Sequence, residues 1–180
     1  MDRDDDELVA CINGGDAAAF DVLYQRYRDW AFSLALRFVG GNHAAAFDVA
    51  QDAFLWLLRQ FPGFELRAHM KTVLYPAVRN GAITLQQRTA ARTKRERVHA
   101  VGETVAPTTA TSPDHAELRA VVAELPEGQR EVLLLRYADE LQMHEIAAAM
   151  EIPLGTAKSR LHHALAALRE NPTLKNLYFD

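Results

Sequence analysis

The segment from Leu125 to Arg169, LPEGQREVLLLRYADELQMHEIAAAMEIPLGTAKSRLHHALAALR, constrains the fold more than any other. Its apolar residues first gather around Val132 to Tyr137. A short stretch of small residues follows, Gln142 to Met150. Glu151-Ile152-Pro153 breaks the pattern, and a third periodic stretch runs from about Leu154 to Arg169. Pro153 suits a helix start, where a missing N–H loses no intrahelical bond. A short helix, a tight turn and a second helix form the helix-turn-helix pattern. Turning about 100° per residue along the third stretch puts Ala157, Leu161, Ala164, Leu165 and Leu168 on one side. Ser159, His162, His163 and Ala166 fall on the other, with Thr156, Lys158 and Arg160 flanking. That outer side is polar, cationic and poor in acceptors, which suits phosphates and base edges. The same pattern also describes the solvated face of an ordinary amphipathic helix.

Nearly every periodic segment of the 180 residues has a helical period, and none alternates like a strand for long, so the predicted class is all-α. The formal charge is −4, so a nucleic-acid site has to be a local patch rather than a property of the whole surface. The one cysteine, Cys11, cannot pair within the chain, and the acidic start Met1-Asp-Arg-Asp-Asp-Asp-Glu7 is the opposite of a signal peptide. No apolar run reaches about 18 residues. These features predict a cytoplasmic protein without a membrane span. No nucleophile–base pairing, HExxH, CxxC or glycine-rich phosphate loop is present, and the seven histidines are scattered. The expectation is therefore no enzyme, no cofactor and no metal.

In chain order, Asp16 is placed to cap a helix running to about Val39, with Phe20, Leu23, Tyr27, Ala31, Leu34 and Phe38 as its core stripe and Gly40-Gly41 as its stop. The next helix, about His43 to Gln60, has Phe47, Ala50, Phe54, Leu57 and Phe61 on one face. Asp48, Gln51, Asp52, Leu55 and Arg59 lie on the other. This second face is either solvated or docks a partner helix, with Leu55 as anchor and the carboxylates pairing with basic residues. Phe61-Pro62-Gly63-Phe64 signals a turn. A third helix is predicted from about Leu66 to Arg88, kinked at Pro76. Beyond it the chain turns basic: Arg79, Arg88, Arg92, Lys94, Arg95 and Arg97 stand against Glu96. That run is either a solvated helix end or a phosphate-tracking surface. Between Ala100 and Ser112 the composition turns to Pro, Thr and Gly with no apolar period, as in a flexible linker. The expected division is a domain at 1–98, a linker at 99–112 and a second domain at 113–180. The second starts at Ser112-Pro113-Asp114 with Glu117 and carries a stripe of Leu118, Val121, Val122 and Leu125. Pro172 ends the last long helix.

Together the two halves resemble the bacterial RNA polymerase sigma factors of the extracytoplasmic-function class. The most specific match is Leu125-Pro126, then Arg130-Glu-Val-Leu-Leu-Leu-Arg-Tyr137, Glu145-Ile-Ala147 and Ile152-Pro153-Leu-Gly-Thr-Ala-Lys-Ser-Arg-Leu161. A second is Asp48-Val-Ala-Gln-Asp-Ala-Phe54, and a third is Arg79-Asn80 ahead of the basic run. The resemblance implies core RNA polymerase and promoter DNA as partners. Asp48, Gln51, Asp52 and Leu55 would face the clamp helices of the largest polymerase subunit. The segment from Lys71 to about Arg92 would melt and read the minus-ten element by taking a base out of the stack. Asn80 would lie near that base, with Arg79, Arg88 and Arg92 on phosphates. Lys158, Ser159, His162 and His163 would reach the minus-thirty-five groove, with Thr156 and Arg160 on its phosphates. An anti-sigma factor is a partner the family commonly has, and this sequence carries no mark of one.

The sequence departs from the family's usual pattern at Val73 (tryptophan), Pro76, Thr84 (aspartate), Glu151 (glycine) and His162-His163 (aromatic or arginine). If the turn needs a positive φ at Glu151, the residue costs about 1 kcal/mol there. Imidazoles titrate near neutrality, so minus-thirty-five affinity is expected to fall as pH rises. A tethered pair of weak DNA contacts on an acidic chain predicts little promoter binding without polymerase. The competing reading is a helix-turn-helix transcriptional regulator that is not a polymerase subunit, with the first half a sensor or dimerisation domain.

Overall fold

The computed structural model describes residues 3–96 and 116–178, with side chains described for residues 3–91 and 117–175. The expected linker, the helix start at Ser112-Pro113-Asp114, and the side chains of Arg92, Lys94, Arg95 and Arg97 lie outside the described residues. Every regular element described is a helix, so the fold is all-α, in two helical units. The first holds α1 (Asp5–Asn13), α2 (Ala17–Phe38), α3 (His43–Leu58) and α4 (Met70–Glu96). The second holds α5 (Ala116–Glu124), α6 (Glu127–Tyr137), α7 (Met143–Ala149), α8 (Leu154–Glu170) and α9 (Pro172–Tyr178).

The acidic N-terminal stretch, for which the sequence predicts no particular element, forms α1. Asp4 caps it: Asp4 Oδ1 accepts the Glu7 N–H at 2.8 Å and Glu7 Oε2 accepts the Asp4 N–H at 3.2 Å, a reciprocal capping box. Leu8, Val9 and Ile12 then bury one face. Helix α1 is tied to α2 by Asp5, which takes an ion pair from Arg26 at 2.6 Å and a hydrogen bond from the Tyr27 hydroxyl. Burial and then the adjacent Asp5 hold the Tyr27 phenol protonated well above its ordinary range.

Helix α2 starts where its sequence signals place it, with Asp16 Oδ1 accepting the Ala18 and Ala19 N–H groups at 3.0 and 3.3 Å. It closes on Gly40 at φ 64°, and the Gly41 N–H returns to the Leu36 carbonyl at 3.0 Å, which is the left-handed helix stop. Leu23, Tyr27, Ala31 and Leu34 are buried; Phe20 and Phe38 are half-buried. Helix α3 buries Ala46, Val49, Ala50, Ala53, Phe54 and Leu57. The alanines turn inward, letting α3 sit close to its neighbours, and Phe47, expected in the core, is left 56% exposed at the seam's edge.

Helix α4 begins at Met70, later than the expected Leu66. The intervening chain is irregular, and His69 Nδ1 accepts the Lys71 N–H at 3.2 Å in the helix's first turn. It buries Met70, Leu74, Tyr75, Val78 and Ala82, and its helical hydrogen bonding extends to Glu96, beyond the expected Arg88. Pro76 lies inside it, so the Thr72 carbonyl one turn earlier has no helical donor. A Cβ on Gly81 would meet Val49 Cγ1 at 3.4 Å, which measures how tightly α4 lies on α3.

In the second unit Leu125, Leu133 and Ala164 form a buried cluster, with Val122, Leu161, Leu165 and Leu168 packed on it. Helix α7 contributes Ile146, Ala147 and Ala149. The tail after Pro172 is a further helix: Asn171 Oδ1 accepts the Thr173 and Leu174 N–H groups, and Leu174 is buried.

Candidate nucleic-acid interface

Helix α8 is aimed by the turn that precedes it. Helix α7 is entered through the Gln142 N–H, which donates to Glu145 Oε2 at 2.7 Å, and its end forms a complete Schellman motif. The Ile152 N–H reaches the Ala147 carbonyl at 3.0 Å and the Glu151 N–H reaches the Ala148 carbonyl at 3.2 Å. The residue between, Glu151, has φ 54°. The turn does need a left-handed residue at this position, and a glutamate supplies it. Pro153 then opens α8 as its N-cap.

On α8, Ala157 and Ala164 are fully buried, and Leu161, Leu165 and Leu168 rest on the unit's core. Lys158, Ser159, His162 and His163 are exposed, and the two imidazoles stand edge to face with centroids 5.7 Å apart. Thr156, Arg160 and Ala166 are half-buried. Arg160 lies over the first turn of α6: a Cβ on Gly128 would come within 2.9 Å of its Nη1. The outer face therefore has a free row and a flanking cation packed against a neighbouring helix. Leu154, at the start of α8, and Tyr137, at the end of α6, are also exposed. The sequence patterns counted both as apolar residues and did not single them out.

On α4, Asn80 and Arg88 are exposed and, by helical spacing, share a face with Thr84, whose hydroxyl donates to the Asn80 carbonyl at 2.8 Å. Arg79 is half-buried and engaged within the protein, a less free position than a phosphate contact suggests. At the start of α4 the Lys71 ammonium stands 5.9 Å from the ring centroid of Trp30.

On α3, Asp48, Gln51, Asp52 and Leu55 are exposed along one side, with Arg59 at the helix end. Asp48, Gln51 and Asp52 have no side-chain hydrogen bond or ion pair among the described residues. Leu55 is 43% exposed, and Trp56 and Leu58 flank it at 41% and 43%. With Phe47, which helical spacing alone places on the inward face, these make the row's edges apolar. A groove lined by Tyr24, Arg28, Asp29, Phe32, Phe47, Ala50, Gln51 and Phe54 runs beside this row between α2 and α3. Among the described residues no helix is long and apolar enough to cross a membrane.

Residues 23–93 match the family model for Sigma-70 region 2, and residues 115–168 match that for Sigma-70, region 4. The chain is 31% identical over 180 residues to the RNA polymerase sigma-H factor of Pseudomonas aeruginosa, covering 91% of this chain and 91% of that protein. It is 32% identical over 177 residues to the ECF RNA polymerase sigma-E factor of Escherichia coli, covering 91% of this chain and 92% of that protein. Among solved structures it is similar to the sigma factor RpoE in complex with the anti-sigma factor NepR from Bartonella quintana. That match has a TM-score of 0.64 at 25% identity and covers 84% of this chain and 94% of that one. With a helix-turn-helix unit that follows, in chain order, a first unit carrying an outward acidic row, these likenesses settle the family: the chain belongs to the RNA polymerase sigma factors, in the extracytoplasmic-function class.

Proposed function

We propose that this sigma factor divides its work among three helices. A sigma factor binds core RNA polymerase and directs transcription initiation, and it is not itself an enzyme. In this chain the polymerase is held by α3 through Asp48, Gln51, Asp52 and Leu55. Helix α4 reads and opens the minus-ten element through Asn80, with Arg79, Arg88 and Arg92 on phosphates. Helix α8 reads the minus-thirty-five element through Lys158, Ser159, His162 and His163, with Thr156 and Arg160 on its phosphates. Residues 1–98 act as the docking and melting domain and 113–180 as the minus-thirty-five domain, joined by 99–112. An anti-sigma factor is a further partner on this reading, as it is for the Bartonella quintana protein.

The row on α3 carries the reading. Exposed carboxylates without a partner among the described residues, grouped around a solvent-facing leucine, suit a basic partner helix with an apolar stripe. The acidic net charge agrees: the chain has to be placed on DNA by something else. The test is retention on immobilised core polymerase. Asp48→Lys and Asp52→Lys are expected to weaken retention about tenfold or more, and transcription from a genomic DNA library should fall with it. Full retention by both variants would sink the assignment of α3.

A further inference from the structure

The carboxamide of Asn13, the last residue of α1, binds chain that lies 50 and 51 residues away. Its Nδ2–H donates to the Phe64 carbonyl at 2.8 Å, and its Oδ1 accepts the Gly63 N–H at 2.7 Å and the Phe64 N–H at 3.2 Å. One side chain thus satisfies three backbone groups of a single turn. Gly63 in that turn has φ 98°, a conformation that glycine adopts freely and leaves as freely. Three bonds from a half-buried amide remove that freedom.

The turn belongs to residues 59–69, which join α3 to α4. Phe61 lies edge-on to Phe20 of α2 at 6.5 Å and against Phe64 at 5.2 Å. At the far end His69 lies edge-on to Tyr27 of α2 at 6.3 Å while its Nδ1 receives the Lys71 N–H. Tyr27 is in turn held by Asp5 of α1. The joint between α3 and α4 is therefore fastened to α1 and α2 at both ends.

We infer that Asn13 is a positioning residue for promoter opening, acting by locking the 61–64 turn through which the docking helix is joined to the promoter-opening helix. This rests on the assignment of α3 and α4 made above. Helices α3 and α4 also pack directly, so loss of the lock leaves both folded and the docking row intact. What changes is the start of α4. A loosened joint gives that end more conformations, and these have to be given up again when DNA opens on the helix.

The experiment uses the full chain, core polymerase and a promoter recovered by transcription from the genomic library. Asn13→Ala removes all three bonds. Asn13→Asp keeps the acceptor for both N–H groups and loses the donor. Asp4→Ala removes the cap of the same helix without touching the turn, and so serves as the stability control. Asn13→Ala is expected to bind core within about twofold of the parent and to form about tenfold fewer open complexes, read by permanganate reactivity of unpaired thymines. Asn13→Asp should fall between, and a pre-opened bubble template should restore Asn13→Ala. Asp4→Ala should keep opening at the parental level despite a lowered melting temperature. Opening that follows melting temperature in both Asp4→Ala and Asn13→Ala overturns the inference. So does unchanged opening in Asn13→Ala, or a matching loss of core binding. If Asn13→Ala does not accumulate, Asn13→Asp decides: lowered opening restored by the bubble supports the lock, and parental opening overturns it. Failure of the underlying assignment shows elsewhere, as full retention of Asp48→Lys on core or parental opening by Asn80→Ala.

Discussion

Replacing Glu151 by glycine should stabilise the protein, although it deletes a side chain from the turn that aims α8. Glu151 holds φ 54° at the left-handed position of a Schellman motif whose two hydrogen bonds are both made. A residue with a Cβ pays about 1–2 kcal/mol there. Glycine removes that strain and returns about 0.4–1 kcal/mol through the greater freedom of the unfolded chain. The side chain is exposed and has no hydrogen bond or ion pair among the described residues, so its loss subtracts little. The net gain is about 0.5–1 kcal/mol. For a unit of this size that raises the midpoint by roughly 2–8 °C. Thermal unfolding of the full chain by far-UV circular dichroism reads it, and tryptophan fluorescence gives an internal reference, because Trp30 and Trp56 both lie in the first unit. Glu151→Ala separates the causes. It removes the charge and keeps the strained φ, so it should sit close to the parent. A stabilisation by alanine equal to that by glycine would assign the effect to charge. A loss of stability with glycine would refute the strain argument altogether.

Two further outcomes follow from local geometry. Gly128→Ala puts a methyl 2.9 Å from Arg160 Nη1, the end of a long side chain that can swing away. Stability should hold, helped by the better helix propensity of alanine, while promoter affinity measured as polymerase holoenzyme falls if Arg160 works from its seat on α6. The phenol of Tyr27 keeps its proton well above its ordinary range, through burial first and Asp5 second. Its folded pKa is raised, so its contribution is complete below the unfolded phenol value of about 10 and is lost as pH rises beyond it. The urea midpoint should therefore decline above about pH 10, and Tyr27→Phe should flatten that decline. An equally steep decline in Tyr27→Phe would remove Tyr27 as the cause.

Much of the second unit was legible because its signals are local. Pro153, the apolar period of α8 and the break at Glu151 act within a few residues, and a helix stop is made by the chain's own carbonyls. The same holds for Asp16 and the Gly40-Gly41 stop of α2. Helix α1 also carried a local signal, Asp4 with Glu7 ahead of Leu8, Val9 and Ile12, hidden beneath the acidity of the stretch. Phe47 was not legible in this way. Its position on the helical wheel borders both faces of α3, and only the packing of Ala46, Ala50 and Ala53 against the neighbouring helices decides which way the helix rolls.

By itself, the sequence determined the all-α class, the helix-turn-helix, the family and the outward rows on α3 and α8. These depend on periodicity, caps and turns, whose partners lie within about one or two helical turns. Tertiary structure alone decided that Arg160 rests on Gly128, that Arg79 is engaged within the protein, that α4 starts at Met70, and that Asn13 fastens a turn fifty residues away. Those contacts join groups distant along the chain. Their geometry exists only once hydrophobic burial has brought the helices together, and no local pattern of residue types records it.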